Sequence, residues 1–199
     1  MNNSTCKRAV KFFILAAAAT ILAALLTYII SPDVKSVTEW VDNRSSEQVK
    51  EAAGIKKIGA YIVNNGVSVP LQMLFLAFIP VQFLYLLNIL TTSLLPGILF
   101  GILLQIDLRK GLEIIASAIP HYVIEVFALC LFAAILFELN RAVRGKIRNV
   151  CKKDKERISF GRKALKTVKI YVLFVLPLIA LAAFVETYIG DMILSLIQK

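Results

Sequence analysis

The chain has 199 residues and a net charge of +10; 58% of its residues are hydrophobic and 18% are charged. A soluble domain carries about 45–50% apolar and about 25% charged residues. Residues 58–106 contain no charged side chain at all. This composition excludes an ordinary soluble domain, a nucleic-acid-binding module and a disulfide scaffold. It predicts an all-α, polytopic membrane helix bundle.

Residues 10–30 form the first predicted span, because 21 residues at about 1.5 Å each cross a hydrocarbon core of about 30 Å. A cleaved signal peptide is the alternative, since Lys7 and Arg8 precede the apolar run. The run is longer than the usual ~7–15 residues, and no small-residue cleavage site precedes Ser31. We therefore expect a retained signal anchor with its N-terminus in the cytoplasm.

Residues 31–57 form a predicted external loop in which five acidic residues balance five basic ones. Its composition at 47–53 favours a short surface helix that ends near Gly54. The next segment, 58–87, is predicted to hold an interfacial helix plus the second span. The third span is predicted at 90–106, after a tight turn near Asn88–Ser93.

The fourth span is predicted at 114–139 and the fifth at 170–190. Between them, the loop 140–169 contains twelve Lys or Arg residues against two acids. Basic loops stay in the cytoplasm, so this loop and the N-terminus are expected there. Five spans then place the C-terminus outside the cytoplasm. The basic loop is interpreted as a topology determinant that lies against anionic headgroups, with a docking surface for a cytoplasmic partner as the alternative.

Ionisable residues inside membrane spans are costly and therefore informative. His121 and Glu125 are four residues apart, which places them on one helix face. Glu186 lies in the fifth span, and Asn64 and Asn65 lie at the start of the second membrane element. The topology places all five in the outer half of the bilayer, so we expect one buried polar cluster.

Several roles fit this cluster. Polar side chains that bond between helices commonly fix helix packing in membranes. A proton-relay or ion site is the second interpretation, because histidine and carboxylate chains recur in transport proteins. A zinc site is the third, although neither span offers the HExxH pattern of a metalloprotease. We predict no metal, no cofactor and no catalytic residue.

Other polar and small residues in the spans have simpler interpretations. Glu138 is expected to pair with Arg141 at the membrane interface. Gly97 and Gly101, four residues apart, permit close helix approach, either within the bundle or in a homodimer. Pro120 precedes His121 and is grouped with these packing residues. Single glutamines are each expected to bond a neighbouring helix (Gln72, Gln82 and Gln105). The three cysteines (Cys6, Cys130 and Cys151) are predicted to be free thiols.

Three segments resemble the stage II sporulation protein M (SpoIIM) family. Ile119-Pro-His-Tyr-Val-Ile-Glu125 is similar to its proline-histidine-glycine-x-x-glutamate signature. Tyr61-Ile-Val-Asn-Asn65 is similar to its aromatic-x-x-asparagine-asparagine segment. Ala182-Ala-Phe-Val-Glu-Thr-Tyr188 resembles its last-span alanine-x-x-x-glutamate-alanine-tyrosine segment. Tyr122 stands where the family has glycine, and Asn88-Ile89 where it has asparagine-glycine, so the chain resembles a divergent member.

The resemblance implies an integral membrane protein of bacteria or archaea without established enzymatic activity. Members act with a peptidoglycan hydrolase and a third membrane protein during spore engulfment, or in the maturation, export or self-immunity of circular bacteriocins. We therefore expect a non-catalytic scaffold or accessory subunit in the bacterial cell membrane. Its expected partners are the lipid bilayer, other membrane proteins and a second copy of itself, and not nucleic acid. A transport or immunity component is the alternative, and an intramembrane metallohydrolase is the third.

Overall fold

A computed structural model describes residues 3–33, 54–152 and 160–197. These residues are almost all helical and include no strand. Five helices are long and apolar enough to cross a membrane: α1 (Asn3–Ile30), α2 (Ile55–Phe78), α3 (Leu86–Ile106), α4 (Leu108–Lys152) and α5 (Phe160–Ile197). The predicted all-α bundle with five spans is confirmed. The predicted surface helix at 47–53 lies outside the described residues.

Helix α4 is the centre of the bundle, and the other four helices pack on it. From Val126 to Leu136 every α4 side chain except that of Phe127 is buried. A helix that is apolar on all sides is typical of such a central position. The other four helices leave apolar side chains exposed, such as Leu15 on α1 and Leu173 on α5, which suits contact with lipid.

Helices α1 and α3 approach each other closely at two glycines of α3. A Cβ atom at Gly97 would lie 2.5 Å from the Thr20 carbonyl oxygen, and one at Gly101 would lie 2.6 Å from that of Ala24. The glycines therefore serve a contact within one chain. Thr20 Oγ1 also donates to the Ser93 carbonyl oxygen at 2.8 Å. The Tyr122 hydroxyl of α4 bonds the same Thr20 oxygen, so this tyrosine fills the space between the three helices.

The predicted turn at 88–93 is wrong, because these residues lie inside α3 and the break falls at 79–85. Pro80 ends α2, since a residue before proline is pushed to extended backbone, and Ile79 has φ −71° and ψ 132°. The polar residues that suggested a turn are accommodated in the helix. The hydroxyls of Thr91 and Thr92 donate to the Asn88 carbonyl oxygen at 2.9 and 2.8 Å.

The helices continue beyond the predicted spans, most of all around the basic segment. Helix α4 extends to Lys152 and α5 begins at Phe160, so the basic segment is helical on both sides of residues 153–159. Lysine and arginine are good helix formers, which explains the extension. Helix α2 runs without interruption from Ile55, so the expected interfacial helix is the first part of the second span.

Helices α2 and α5 contain π-helical segments at Ile62–Ser68, Tyr171–Val175 and Val185–Ile189. Proline has no N–H group, so Pro70 cannot donate to the carbonyl of Gly66 four residues earlier. The Tyr171 hydroxyl of α5 donates to this Gly66 oxygen instead. A side chain of one helix thus satisfies the backbone of another.

Glu138 joins three helices at the basic end of the bundle. Its carboxylate lies 3.2 Å from Arg8 Nη1 of α1 and 3.1 Å from Lys163 Nζ of α5. The Arg8 guanidinium also lies over the Phe137 ring, 3.8 Å from its centroid. The predicted pair with Arg141 is wrong, because partners from other helices reach the carboxylate.

Asn140 holds the connection between α2 and α3. It is 1% exposed, and its Nδ2 lies 3.0 Å from the carbonyl oxygen of Ala77 and 2.8 Å from that of Ile79. Arg144 donates to Asn140 Oδ1 at 3.0 Å and to Gln82 Oε1 at 3.0 Å. The other two glutamines also bond neighbouring helices: Gln72 Oε1 accepts from Asn88 Nδ2 and Gln105 Nε2 donates to the Thr27 carbonyl oxygen.

Replacing Gly101 with alanine tests the contact between α1 and α3. The added Cβ would meet the Ala24 carbonyl oxygen and Thr27 Cβ, each at 2.6 Å. We expect Gly101→Ala to lower the free energy of unfolding by about 1–3 kcal/mol, measured by thermal unfolding in detergent micelles. Gly161→Ala is the matched control, since nothing lies within 4 Å of its Cβ position. Equal stability of the two variants would contradict the contact.

Candidate functional site

His121 and Glu125 lie one turn apart on the same face of α4, as their spacing predicts. His121 Nε2 is 3.8 Å from Glu125 Oε2. Glu125 is only 9% exposed, and side chains of α2 and α5 lie beside it. A buried carboxylate needs a charged or hydrogen-bonding partner, and the imidazole provides one.

Glu186 approaches the same imidazole from α5. Its Oε2 lies 2.7 Å from His121 Nδ1, so His121 stands between two carboxylates on two helices. Glu186 belongs to the π-helical segment Val185–Ile189. Such segments are frequent at functional sites. The contact links the centre of the bundle to its last helix.

Helix α2 completes the group with two residues that the sequence prediction of the cluster omitted. Tyr61 donates its hydroxyl to Glu186 Oε1 at 3.3 Å, and Lys57 Nζ lies 3.8 Å from the same oxygen. Lys57, Tyr61 and Asn65 follow one another at four-residue intervals, which places them on one face of α2. This spacing is the signal that could have found them.

The two asparagines differ in position. Asn65 is half-buried, and its amide lies next to the Glu125 carboxylate. Asn64 is exposed and donates from Nδ2 to Asn65 Oδ1 at 2.7 Å. The structure therefore brings four of the five expected residues together and places Asn64 at their edge. We call Lys57, Tyr61, Asn65, His121, Glu125 and Glu186 the polar cluster.

The expected packing residues occupy different places. Pro120 lies inside α4, half-buried, directly before His121 of the polar cluster. Gly97 and Gly101 belong to the contact between α1 and α3.

The polar groups of the cluster are partners for one another. Two carboxylates face one lysine, one imidazole, a phenol and an amide. Mutual contacts of this kind offset the cost of placing polar groups in lipid. In the described part of the chain, no three His, Cys, Asp or Glu side chains are arranged to hold a metal ion. The geometry supports interhelical attachment of α2, α4 and α5.

A double-mutant cycle on His121 and Glu186 tests this attachment. We expect His121→Ala and Glu186→Gln each to lower the free energy of unfolding by about 1–3 kcal/mol, because each leaves a polar partner without its contact. The double variant should lose less than the sum, by about 1 kcal/mol. Thermal unfolding in detergent measures the free energy of unfolding of the two single variants and of the double variant. Asn64→Ala is the control at the exposed edge, and strict additivity of the two changes would contradict the pair.

In a comparison with protein families, the family model described as stage II sporulation protein M matches residues 9–190. No curated protein and no solved structure matches the chain. The matched range contains every residue of the polar cluster and the membrane-spanning part of all five helices. The chain belongs to the stage II sporulation protein M (SpoIIM) family, and it is a multi-pass membrane protein.

Proposed function

We propose that the protein is a non-catalytic scaffold or accessory subunit of a bacterial cell membrane, which acts by holding partner membrane proteins. Its N-terminus and basic segment would face the cytoplasm, since basic segments are retained there. The polar cluster would then lie toward the outer surface. In this role the cluster fixes the shape of the bundle, and the exposed apolar faces of the outer helices meet the partners.

The observation that carries this proposal is the apolar middle of α4. The stretch from Val126 to Leu136 spans about 15 Å and separates the polar cluster from Glu138. Its side chains are apolar, and all but Phe127 are buried. Arg8 reaches the Glu138 end of this stretch, where its Nη1 donates to the Ala134 carbonyl oxygen at 3.3 Å, but the α4 residues from Val126 to Ala133 include no acidic, basic or histidine side chain. Proton and ion routes through membrane proteins use such side chains or water-filled cavities, so a closed apolar middle supports a structural role.

A transport, export or self-immunity component is the second candidate function. The specific observation in its favour is the imidazole between two carboxylates, whose His121 and Glu186 side chains are 21% and 23% exposed. Groups in this arrangement exchange protons readily. A proton site of this kind would serve a transporter only if a route led from it to the other face of the membrane.

The substitution Glu125→Gln distinguishes the two functions. It removes the charge of the buried carboxylate but keeps its shape and much of its hydrogen bonding. We expect the variant to restore the wild-type phenotype to a deletion strain when the protein accumulates to the wild-type level. We also expect no proton flux above that of empty liposomes when the wild-type protein is reconstituted under a pH gradient.

Glu113→Gln is the matched control, because Glu113 lies on the same helix, outside the polar cluster, and its carboxylate is paired with Arg109 one turn away. A wild-type proton flux that Glu125→Gln abolishes and Glu113→Gln preserves would overturn the scaffold proposal. In the deletion strain, loss of the wild-type phenotype with Glu125→Gln but not with Glu113→Gln, when both variants are stably folded, would count equally against it.

A further inference from the structure

A crevice of about 360 Å³ opens between α2 and α5 in the half of the bundle that contains Glu138. Helix α2 contributes Leu71 and Leu74 to one wall, and α5 contributes Val168 to the other. Phe132 and Leu139 of α4 form the floor. Leu71 and Val168 are 45% and 55% exposed, so the crevice is open to the lipid side.

The chemistry of the crevice selects a hydrocarbon. Only two residues of its lining carry a polar side-chain atom, and both hydroxyls are already engaged. Thr167 donates to the carbonyl oxygen of Lys163 at 3.0 Å, and Tyr171 donates to that of Gly66. An occupant that required hydrogen bonds would lose them on entry.

The dimensions match one acyl chain. The α2 wall, from Val67 to Phe78, is about 16 Å long, which is about half of a hydrocarbon core of about 30 Å. A helix about 10–12 Å wide and of this length would occupy roughly 1,300–1,800 Å³. A crevice of about 360 Å³ therefore admits an extended chain and not a helix.

The charge at the end of the crevice favours an anionic headgroup. The crevice ends at Phe78, whose ring lies 6.2 Å from that of Phe160. Lys146 is exposed, and its Nζ lies 5.4 Å from the Phe160 ring centroid. The segment 141–169, to which Lys146 belongs, contains twelve Lys or Arg residues in the sequence. A phosphate at this level would meet the Lys146 ammonium, and the Glu138 carboxylate in this half of the bundle already has two basic partners.

We propose that this crevice is a binding site for an anionic phospholipid, with one acyl chain between α2 and α5 and its phosphate beside Lys146. The proposal does not depend on the scaffold function. It assigns a ligand to a surface that the polar cluster does not use.

Native mass spectrometry of the full-length protein in detergent tests the site. Phosphatidylglycerol and phosphatidylcholine with identical acyl chains are titrated separately, so that only the headgroup differs. We expect at least fivefold tighter retention of phosphatidylglycerol by the wild-type protein. Lys146→Gln should remove most of this preference and leave phosphatidylcholine retention unchanged.

Val168→Phe fills the crevice, and Leu165→Phe is its matched control. Both residues are exposed apolar positions on α5, at 55% and 58%, but only Val168 lines the crevice. We expect Val168→Phe to weaken retention of both lipids at least fivefold and Leu165→Phe to leave it unchanged. Leu71→Trp fills the crevice from the opposite wall if Val168→Phe does not fold. Circular dichroism and size-exclusion chromatography check the fold of each variant.

Three results would overturn the proposal. The first is equal retention of the two lipids by the wild-type protein, which would indicate that lipids bind non-specifically to its apolar surface, as detergent does. The second is an equal effect of Val168→Phe and Leu165→Phe. The third is a photo-crosslink from position 74 in native membranes that captures a protein segment and no lipid, which would assign the crevice to a partner helix.

Discussion

Helices remain together in a bilayer only where their mutual contacts are better than their contacts with lipid, because acyl chains are as apolar as leucine. Burial of apolar area alone therefore does not hold α4 at the centre of five helices. The structure supplies two stronger kinds of contact. Helices α1 and α3 approach at Gly97 and Gly101, where the absence of a side chain allows the two backbones to come close. Helices α2 and α5 are attached to α4 by ionic and hydrogen-bonded groups.

The depth of these groups is also constrained. His121 and Glu138 are separated by about 26 Å along α4, close to the thickness of the hydrocarbon core. Charged groups therefore lie near both membrane surfaces, where water and headgroups lower their cost. The apolar stretch between them occupies the depth at which an unpaired charge would be most expensive. This arrangement fixes the position of α4 along the membrane normal as well as its neighbours.

The sequence predicts the parts of this structure that depend on local spacing. Five spans follow from apolar runs, and the shared face of His121 and Glu125 follows from their four-residue separation. Partners on other helices are harder to predict, because any base at the same depth competes for a carboxylate. Glu138 illustrates this: Arg141 is nearest in sequence, but Arg8 and Lys163 reach it in the structure.

The break between α2 and α3 shows a second limit of sequence interpretation. A group of polar residues suggested a turn at 88–93, whereas Pro80 determines where α2 ends. Threonine and serine hydroxyls can bond the backbone of their own helix, so their presence in a membrane span does not indicate a turn. Asn140 depends on the same break, since the carbonyl groups that it contacts are free only because α2 ends there.

Gly66 lies between the polar contact and the open crevice that α2 and α5 form. A Cβ atom at Gly66 would lie 3.2 Å from Leu176 Cδ1, so the two helices are in close contact at this level. Toward one end of the bundle, Tyr61 reaches Glu186 across a narrow gap. Toward the other end, the two helices leave the apolar crevice between them, with the Tyr171 ring at its inner limit. The Tyr171 hydroxyl donates to the Gly66 carbonyl at the same level, so the polar contact and the crevice lie on either side of one contact between the two helices.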